Sequence, residues 1–172
     1  AFGGINYIEM HKYPLATVSQ LQVPDAVRWE LERRLALIYL GNSHSSSQVH
    51  ERVIKQLEDA GPDCKPLQDL RSTAELSRDA VYAGRFDLLG RAMIANTDAQ
   101  ARLHPSLVCA DAHKIIEIAA EHGAIGWKVN GAGGEGGSIT LLAGPYTDRK
   151  RAMINAILKQ DSKFKNIPVT LA

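Results

Sequence analysis

Cysteine is scarce in this sequence: the 172 residues include only Cys64 and Cys109. Two cysteines this far apart do not make a disulfide framework, and they fall short of the ligands that a structural zinc site requires. The six histidines form no HExxH motif and no paired set with carboxylate support. We therefore predict no metal site in the chain, and we expect a reducing, cytoplasmic environment.

An excess of one charge and a long apolar run are also absent. The 20 basic and 19 acidic residues give a net charge of +1, which provides no general attraction for nucleic acid or for a membrane surface. The apolar run at 35–40 (LALIYL) is far too short to span a bilayer. We expect neither nucleic acid nor membrane among the partners, and the length of the chain favours one domain.

Hydrophobic periodicity predicts an α+β fold. Two strands and a short helix open the chain within 1–34, and 35–40 follows as a buried strand. Apolar positions spaced three and four apart then predict four helices before Gly123. The C-terminal part reads as strand, strand, helix and strand, at 125–129, 138–142, 148–160 and 167–171, with Asp148 as the helix cap. This order predicts a ferredoxin-like βαββαβ frame at 35–172, with helices inserted after its first strand.

The most unusual segment is rich in glycine and lies between two predicted strands. Five of the seven positions 131–137 are glycine, interrupted only by Ala132 and Glu135. The spacing satisfies GxGxxG, but no helix follows to meet a pyrophosphate; the Walker pattern fails similarly, because Gly137 replaces its lysine. A tight hairpin would need only two glycines. We therefore favour a loop whose exposed amides contact a phosphate or another ligand, with Glu135 turned to solvent.

The segment 128–134 (KVNGAGG) resembles the third signature of the GHMP kinases, in which a lysine precedes GAG between two strands of a ferredoxin-like C-terminal domain. The stretches at 1–10 (AFGGINYIEM) and 41–47 (GNSHSSS) are similar to sugar kinases of the heptose-phosphate and galactokinase-like type. The resemblance implies a kinase that uses ATP and Mg²⁺ to phosphorylate a sugar or sugar phosphate. The nucleotide would contact Gly131, Ala132, Gly133, Gly134 and Gly136.

Other parts expected of a GHMP kinase are absent from this sequence. It has no glycine- and serine-rich second signature to hold the ATP phosphates, and the resemblance puts the catalytic aspartate and the magnesium carboxylate in an N-terminal region. We therefore expect 1–172 to be a single domain from the C-terminal part of a longer kinase, with no catalytic residue of its own and no activity alone. The alternative is a non-catalytic binding or regulatory module with the same fold.

Further polar residues are candidates for contacts with the substrate. Lys128 leads the glycine segment, and His44, Ser45 and Ser46 could form a helix N-terminus that faces a phosphate or sugar hydroxyls, or serve only as caps. A polar group near a helix end could hydrogen-bond a sugar, although a solvated face explains it more simply: Asn96, Asp98, Gln100 and His104. We also expect either self-association or an exposed apolar patch beside the glycine loop, where an N-terminal half would pack.

Overall fold

A computed structural model describes residues 3–12, 14–41, 51, 53–55, 57–58, 64–131, 133–134 and 136–171. The chain begins with strands β1 (Asn6–Lys12) and β2 (Leu15–Gln20), helix α1 (Asp25–Arg34) and strand β3 (Leu35–Tyr39). Helices α2 (Lys65–Tyr82) and α3 (Phe86–Leu103), a 3-10 turn (Pro105–Leu107) and helix α4 (Ala110–Glu121) follow. Strands β4 (Ala124–Val129) and β5 (Ser138–Ala143), helix α5 (Thr147–Leu158) and strand β6 (Lys165–Ile167) complete the order.

Four of these strands form one antiparallel sheet in the order β4-β5-β3-β6. Strands β3 and β4 are both antiparallel to β5, which separates them, so they run parallel to each other. The helices α2 to α4 lie between β3 and β4 in the chain, as predicted for the insertion. The α+β class is therefore confirmed. Strands β1 and β2 pair separately as an antiparallel hairpin.

The sheet carries an apolar cluster on each face, because successive strand residues point to opposite sides. The main core packs Ile38, Val129 and Ile139 against helices α4 and α5, which contribute Ile115 and Ile157. We call this side the core face. The second face carries Leu142, which packs with residues from helices α1, α2 and α3: Leu31, Ala80, Val81, Leu89 and Met93.

Helix α3 lies directly against strand β4 because two glycines face each other there. A Cβ atom built on Gly90 would stand 2.1 Å from the Ile125 carbonyl oxygen, and one built on Gly126 would stand 2.5 Å from the Gly90 Cα. Any side chain at either position would push the helix away from the strand. This contact places the C-terminal half of α3 beside the glycine loop.

Most predicted boundaries shift by one or two residues, and two further differences concern a helix cap and the last strand. Asp148 lies in the first turn of α5 rather than at its cap, since the capping position is Tyr146. The final strand covers 165–167 instead of 167–171, and Pro168, which has no N–H to donate to a neighbouring strand, follows it directly. Among the described residues, no helix has both the length and the hydropathy needed to cross a membrane.

Candidate functional site

The glycine loop connects β4 to β5, and each of its glycines has a positive φ angle. The values are 61° at Gly131, 64° at Gly133, 89° at Gly134, 142° at Gly136 and 76° at Gly137. Residues with a side chain rarely adopt such angles. The backbone conformation alone therefore accounts for glycine at all five positions.

Gly133 also has a packing reason to lack a side chain. A Cβ atom there would stand 1.9 Å from the Leu107 carbonyl oxygen, at the end of the 3-10 turn. The Gly134 amide donates a hydrogen bond of 3.2 Å to that same oxygen, and Val108 pairs with Gly134 as a parallel bridge. The close approach that the glycine content predicts is thus, at Gly133, an approach to the chain's own backbone.

The amides of the loop divide into two groups. Those of Gly133, Gly134 and Gly136 donate to the carbonyl oxygens of Asn130, Leu107 and Gly134, and these three glycines are buried. Gly131 is exposed, and in the described part of the chain no heavy atom beyond its neighbours lies within 4 Å of the position its Cβ would occupy. Within the described part of the chain, the Gly131 and Gly137 amides donate no such bond. The loop therefore does not present all of its glycine amides to an anion. The exposed glycine with an undonated amide is Gly131, at the start of the loop.

Helix α3 supplies hydrogen bonds to the outer edge of β4. The Thr97 hydroxyl donates to the Trp127 carbonyl at 3.1 Å and accepts from the Val129 amide at 3.4 Å. The Gln100 side-chain amide donates to the Gly131 carbonyl at 3.0 Å. A sheet edge leaves such backbone groups unpaired unless something covers them. Thr97 and Gln100 cover this edge and tie the start of the loop to the helix.

Of the four polar residues predicted near the end of α3, Gln100 shows that the simpler interpretation, a solvated face, is wrong at its position, while Asn96 is half-buried. Gln100 is 93% buried, and the Asn96 amide donates to the Thr73 hydroxyl at 2.7 Å, between α2 and α3. The Asn96 Oδ1 and Gln100 Oε1 atoms are buried without a partner among the described residues. Asp98 is exposed, and His104 accepts from the Ser106 amide at 3.2 Å. The four side chains therefore do not converge on one sugar-binding surface.

Lys128 is the cation nearest in sequence to the glycine loop, and it is half-buried. Its amine donates to the Val129 carbonyl at 2.8 Å, and it forms no ion pair with a carboxylate in the described ranges. Burial lowers the pKa of this amine below its usual value, because a charge removed from water is disfavoured when nothing opposes it. An anion that reached this amine would restore the lost stabilisation.

Sequence reasoning did not single out the polar network beside Lys128. The side-chain amide of Asn130 donates to the Ser138 hydroxyl at 3.0 Å and to the Thr140 hydroxyl at 2.9 Å. The Thr140 hydroxyl in turn donates to Asn130 Oδ1 at 3.1 Å. The signal was present: Lys128 and Asn130, like Ser138 and Thr140, are polar residues spaced by two in neighbouring strands. That spacing puts side chains on one face of a sheet.

An open cleft of about 580 Å³ lies next to the loop, at the 3-10 turn and the start of α4. Its charged lining residues already pair with each other, since the Lys163 amine lies 2.7 Å from an oxygen of Asp111. No cluster of three His, Cys, Asp or Glu residues suited to a metal ion occurs within the described ranges.

Five of the predicted residues lie outside the described part of the chain: Ala132, Glu135, His44, Ser45 and Ser46. Of the predicted site, the structure therefore positions Lys128 and Gly131, Gly133, Gly134 and Gly136.

No protein-family model matches the chain. The D-glycero-alpha-D-manno-heptose 7-phosphate kinase of Campylobacter jejuni is 21% identical over 169 residues, which cover 98% of this chain and 49% of that protein. The chain thus spans about half the length of this curated relative.

Solved kinase structures share the fold. The mevalonate kinase of L. major, in complex with R-mevalonate, matches with a TM-score of 0.75 and 20% identity over 99% of this chain and 51% of its own. A D-glycero-D-manno-heptose 1-phosphate kinase from Bacteroides thetaiotaomicron matches with a TM-score of 0.60 and 20% identity, over 98% of this chain and 42% of its own. These findings confirm the resemblance to the GHMP kinases, including the heptose-phosphate type.

Proposed function

We propose that this chain is the C-terminal half of an ATP-dependent GHMP-type kinase that phosphorylates a sugar or a sugar phosphate. The observation that carries the proposal is the match to a heptose-phosphate kinase over 98% of this chain but 49% of the relative. The KVNGAGG segment, which begins with the last two residues of β4 and continues into the loop toward β5, supports it. A separate N-terminal region would then contribute the second phosphate loop and the catalytic aspartate that the resemblance implies.

The described residues fit a phosphate at one end of the glycine loop. Gly131 is exposed and its amide is free of partners in the described ranges, while Lys128 brings a positive charge without a paired carboxylate. The amides of Gly133, Gly134 and Gly136 donate hydrogen bonds to carbonyl oxygens of the loop and of the 3-10 turn. We therefore assign these three glycines the role of fixing the conformation of the loop. ATP, when bound, supplies the phosphoryl group, and we assign Mg²⁺ to the N-terminal region. Catalysis then rests on positioning and on charge stabilisation.

One observation favours a second candidate, a non-catalytic binding or regulatory module. Three of the loop amides are satisfied within the protein, so the loop has an internal reason for its glycines. On this view the fold is retained and the chain binds a ligand or partner without transferring a phosphoryl group.

A kinase assay separates the two candidates. The complete polypeptide that contains this chain, supplied with ATP and Mg²⁺, is tested against hexoses, heptoses and their phosphates, in parallel with residues 1–172 alone. We expect transfer to at least one sugar or sugar phosphate by the complete polypeptide and background rates for 1–172. Background rates for both on every substrate would favour the non-catalytic module, and turnover by 1–172 would contradict its assignment as half of a kinase.

The remaining assignments follow from this role. We propose a small sugar or sugar phosphate and the N-terminal kinase region as partners. We propose a cytoplasmic location, which agrees with the free thiols of Cys64 and Cys109.

A further inference from the structure

Gln100, in the last turn of helix α3, holds the exposed end of the glycine loop. Its side-chain amide donates to the Gly131 carbonyl at 3.0 Å, and no other hydrogen bond joins Gly131 to the residues that the structure describes. Gly131 also lacks side-chain packing, since no heavy atom of those residues, apart from its chain neighbours, lies within 4 Å of its Cβ position. The conformation of Gly131 therefore depends on its bond with Gln100.

The two peptide units on either side of the Gly131 Cα atom are held unequally. The Gly131 amide shares a planar unit with the Asn130 carbonyl, which accepts a hydrogen bond of 3.4 Å from the Gly133 amide. The next unit contains the Gly131 carbonyl, which the 3.0 Å bond from Gln100 fixes. Hydrogen bonds between N–H and oxygen are weaker beyond about 3.2 Å. The bond from Gln100 is thus the stronger of the two restraints on the direction of the Gly131 amide.

Helix α3 is a rigid support for this contact. Gly90 lets the helix approach β4 closely, and Thr97, three residues before Gln100, bonds to both the Trp127 carbonyl and the Val129 amide. A group carried on a packed helix is placed more accurately than one carried on a loop. Gln100 therefore transfers the fixed position of α3 to the start of the loop.

The stability of the fold does not explain why glutamine occupies position 100. The side chain is 7% exposed, and its Oε1 atom is buried without a hydrogen-bond partner among the described residues, an arrangement that destabilises a folded protein. The reverse orientation of the amide would place that oxygen against the Gly131 carbonyl, so the contact fixes the orientation. An apolar side chain of similar length would leave no unpaired acceptor, and water could pair with the carbonyl of the exposed Gly131. What the amide of Gln100 adds is a fixed Gly131.

We propose that Gln100 is a positioning residue, which holds the Gly131 amide in the direction from which a phosphate of the nucleotide approaches. This rests on the proposed function, which assigns a phosphate to Gly131, and adds a residue that controls that site from the neighbouring helix. Gln100 acts through the loop backbone and needs no contact with the ligand. A loop that is ordered before binding gives higher affinity, because the binding step does not have to order it.

Nuclear magnetic resonance of nitrogen-15-labelled residues 1–172 measures the effect before any ligand is added. We expect the Gly131 amide of the wild type to be ordered, with an order parameter of about 0.85, and that of Gln100→Met to fall below about 0.6. Methionine has nearly the length of glutamine but donates no hydrogen bond, so the free energy of unfolding in urea should be equal or higher. Gln100→Asn keeps the amide but is one carbon shorter, and it should disorder Gly131 as well.

The same spectra follow titrations with ATP and with adenosine. ATP should shift the Gly131 amide resonance of the wild type, whereas adenosine, which has no phosphate, should not. Gln100→Met should weaken the binding of ATP by about threefold to tenfold, the usual contribution of one neutral hydrogen bond.

The matched control is Arg102→Gln, which removes a hydrogen bond of 3.1 Å from the same turn of α3 to Asp69 on α2; it should leave the order of Gly131 and the affinity for ATP unchanged. A folded Gln100→Met variant in which Gly131 is as ordered as in the wild type, or which binds ATP equally well, would overturn the proposal. So would an equal loss in Arg102→Gln, since any weakening of α3 would then loosen the loop, and so would a wild-type Gly131 that does not respond to ATP. The order of Gly131 is measured without ATP or turnover, so a failed kinase assay of the complete polypeptide remains a separate result.

Discussion

At Gly133, the glycine loop and the 3-10 turn meet backbone to backbone. The Leu107 carbonyl occupies the space that a Cβ atom would need, 1.9 Å away, and φ is 64°. Gly133→Ala must therefore both strain the backbone and separate the loop from the turn. We expect a loss of about 2–4 kcal/mol in the free energy of unfolding, from the usual costs of a strained φ and of overpacking, measured by urea denaturation.

Gly131 provides the matched control within the same loop. Its φ of 61° is nearly the same, but no heavy atom of the described residues, apart from its chain neighbours, lies within 4 Å of the added methyl group. Gly131→Ala should cost only about 1 kcal/mol, the penalty of the left-handed conformation. If the two alanine variants were equally stable, the contact with Leu107 would not be what requires glycine at 133.

Among the elements, helix α1 is tied to the rest of the fold through a cluster of charges at its C-terminal end. Glu30 accepts hydrogen bonds of 2.7 Å from Arg33 and 2.6 Å from Arg34, and Arg33 also donates to the Pro145 carbonyl and the Thr147 hydroxyl at the start of α5. The hydrogen bond from Arg33 is the main reason that the pKa of Glu30 is lowered from 4.5 to about 2. The cluster thus links the helix that precedes β3 to the helix that follows β5.

The lowered pKa of Glu30 predicts how the stability of the protein depends on pH. A carboxyl whose pKa is lower in the folded state stabilises the fold fully above its unfolded pKa, near 4.5, and this contribution decreases below that pH and is lost as the pH falls through the folded pKa of about 2. Glu30→Gln should cost about 1 kcal/mol at pH 7, the range for partly exposed pairs, and this cost should fall steadily below pH 4.5 to a small remainder near pH 2, where Glu30 is half protonated in the folded state. Denaturation curves across this range, with the exposed Glu117→Gln as control, measure it. A cost independent of pH would contradict the explanation.

The elements also show what local sequence could predict and what it could not. The strands at 35–39 and 138–143 and the helices between them follow from apolar spacing, which depends only on neighbours along the chain. The burial of Gln100 does not, because it requires α3 to lie along the edge of β4, and Gly90 and Gly126 permit that contact from distant positions. Likewise, glycine spacing predicts a close approach but does not say whether its partner is a ligand or, as at Gly133, the chain itself.

For the molecule as a whole, the exposed apolar residues lie away from where we expected them. Beside the glycine loop, the second face of the sheet carries polar residues of β4 and β5, and among the described residues the large exposed apolar side chains lie on the β1–β2 hairpin, on the helices, at Tyr146 before α5 and at Ile167 on strand β6. On the hairpin, Ile8, Met10 and Leu15 are each more than half exposed. Ile8 and Met10 are two positions apart on one strand, so they share a face.

This hairpin predicts self-association of residues 1–172. A two-stranded sheet is marginally stable by itself, and its edges offer unpaired backbone groups next to the exposed apolar face. We therefore expect the sedimentation coefficient of the wild type to rise with protein concentration, and the Ile8→Lys/Met10→Lys variant to remain a monomer, because lysines on a strand oppose pairing by charge repulsion. Leu76→Lys, which replaces an equally exposed apolar residue on α2, is the control and should associate like the wild type. If the wild type stays monomeric at every concentration, the hairpin does not drive association; if Leu76→Lys abolishes association as well, net charge rather than the hairpin face controls it.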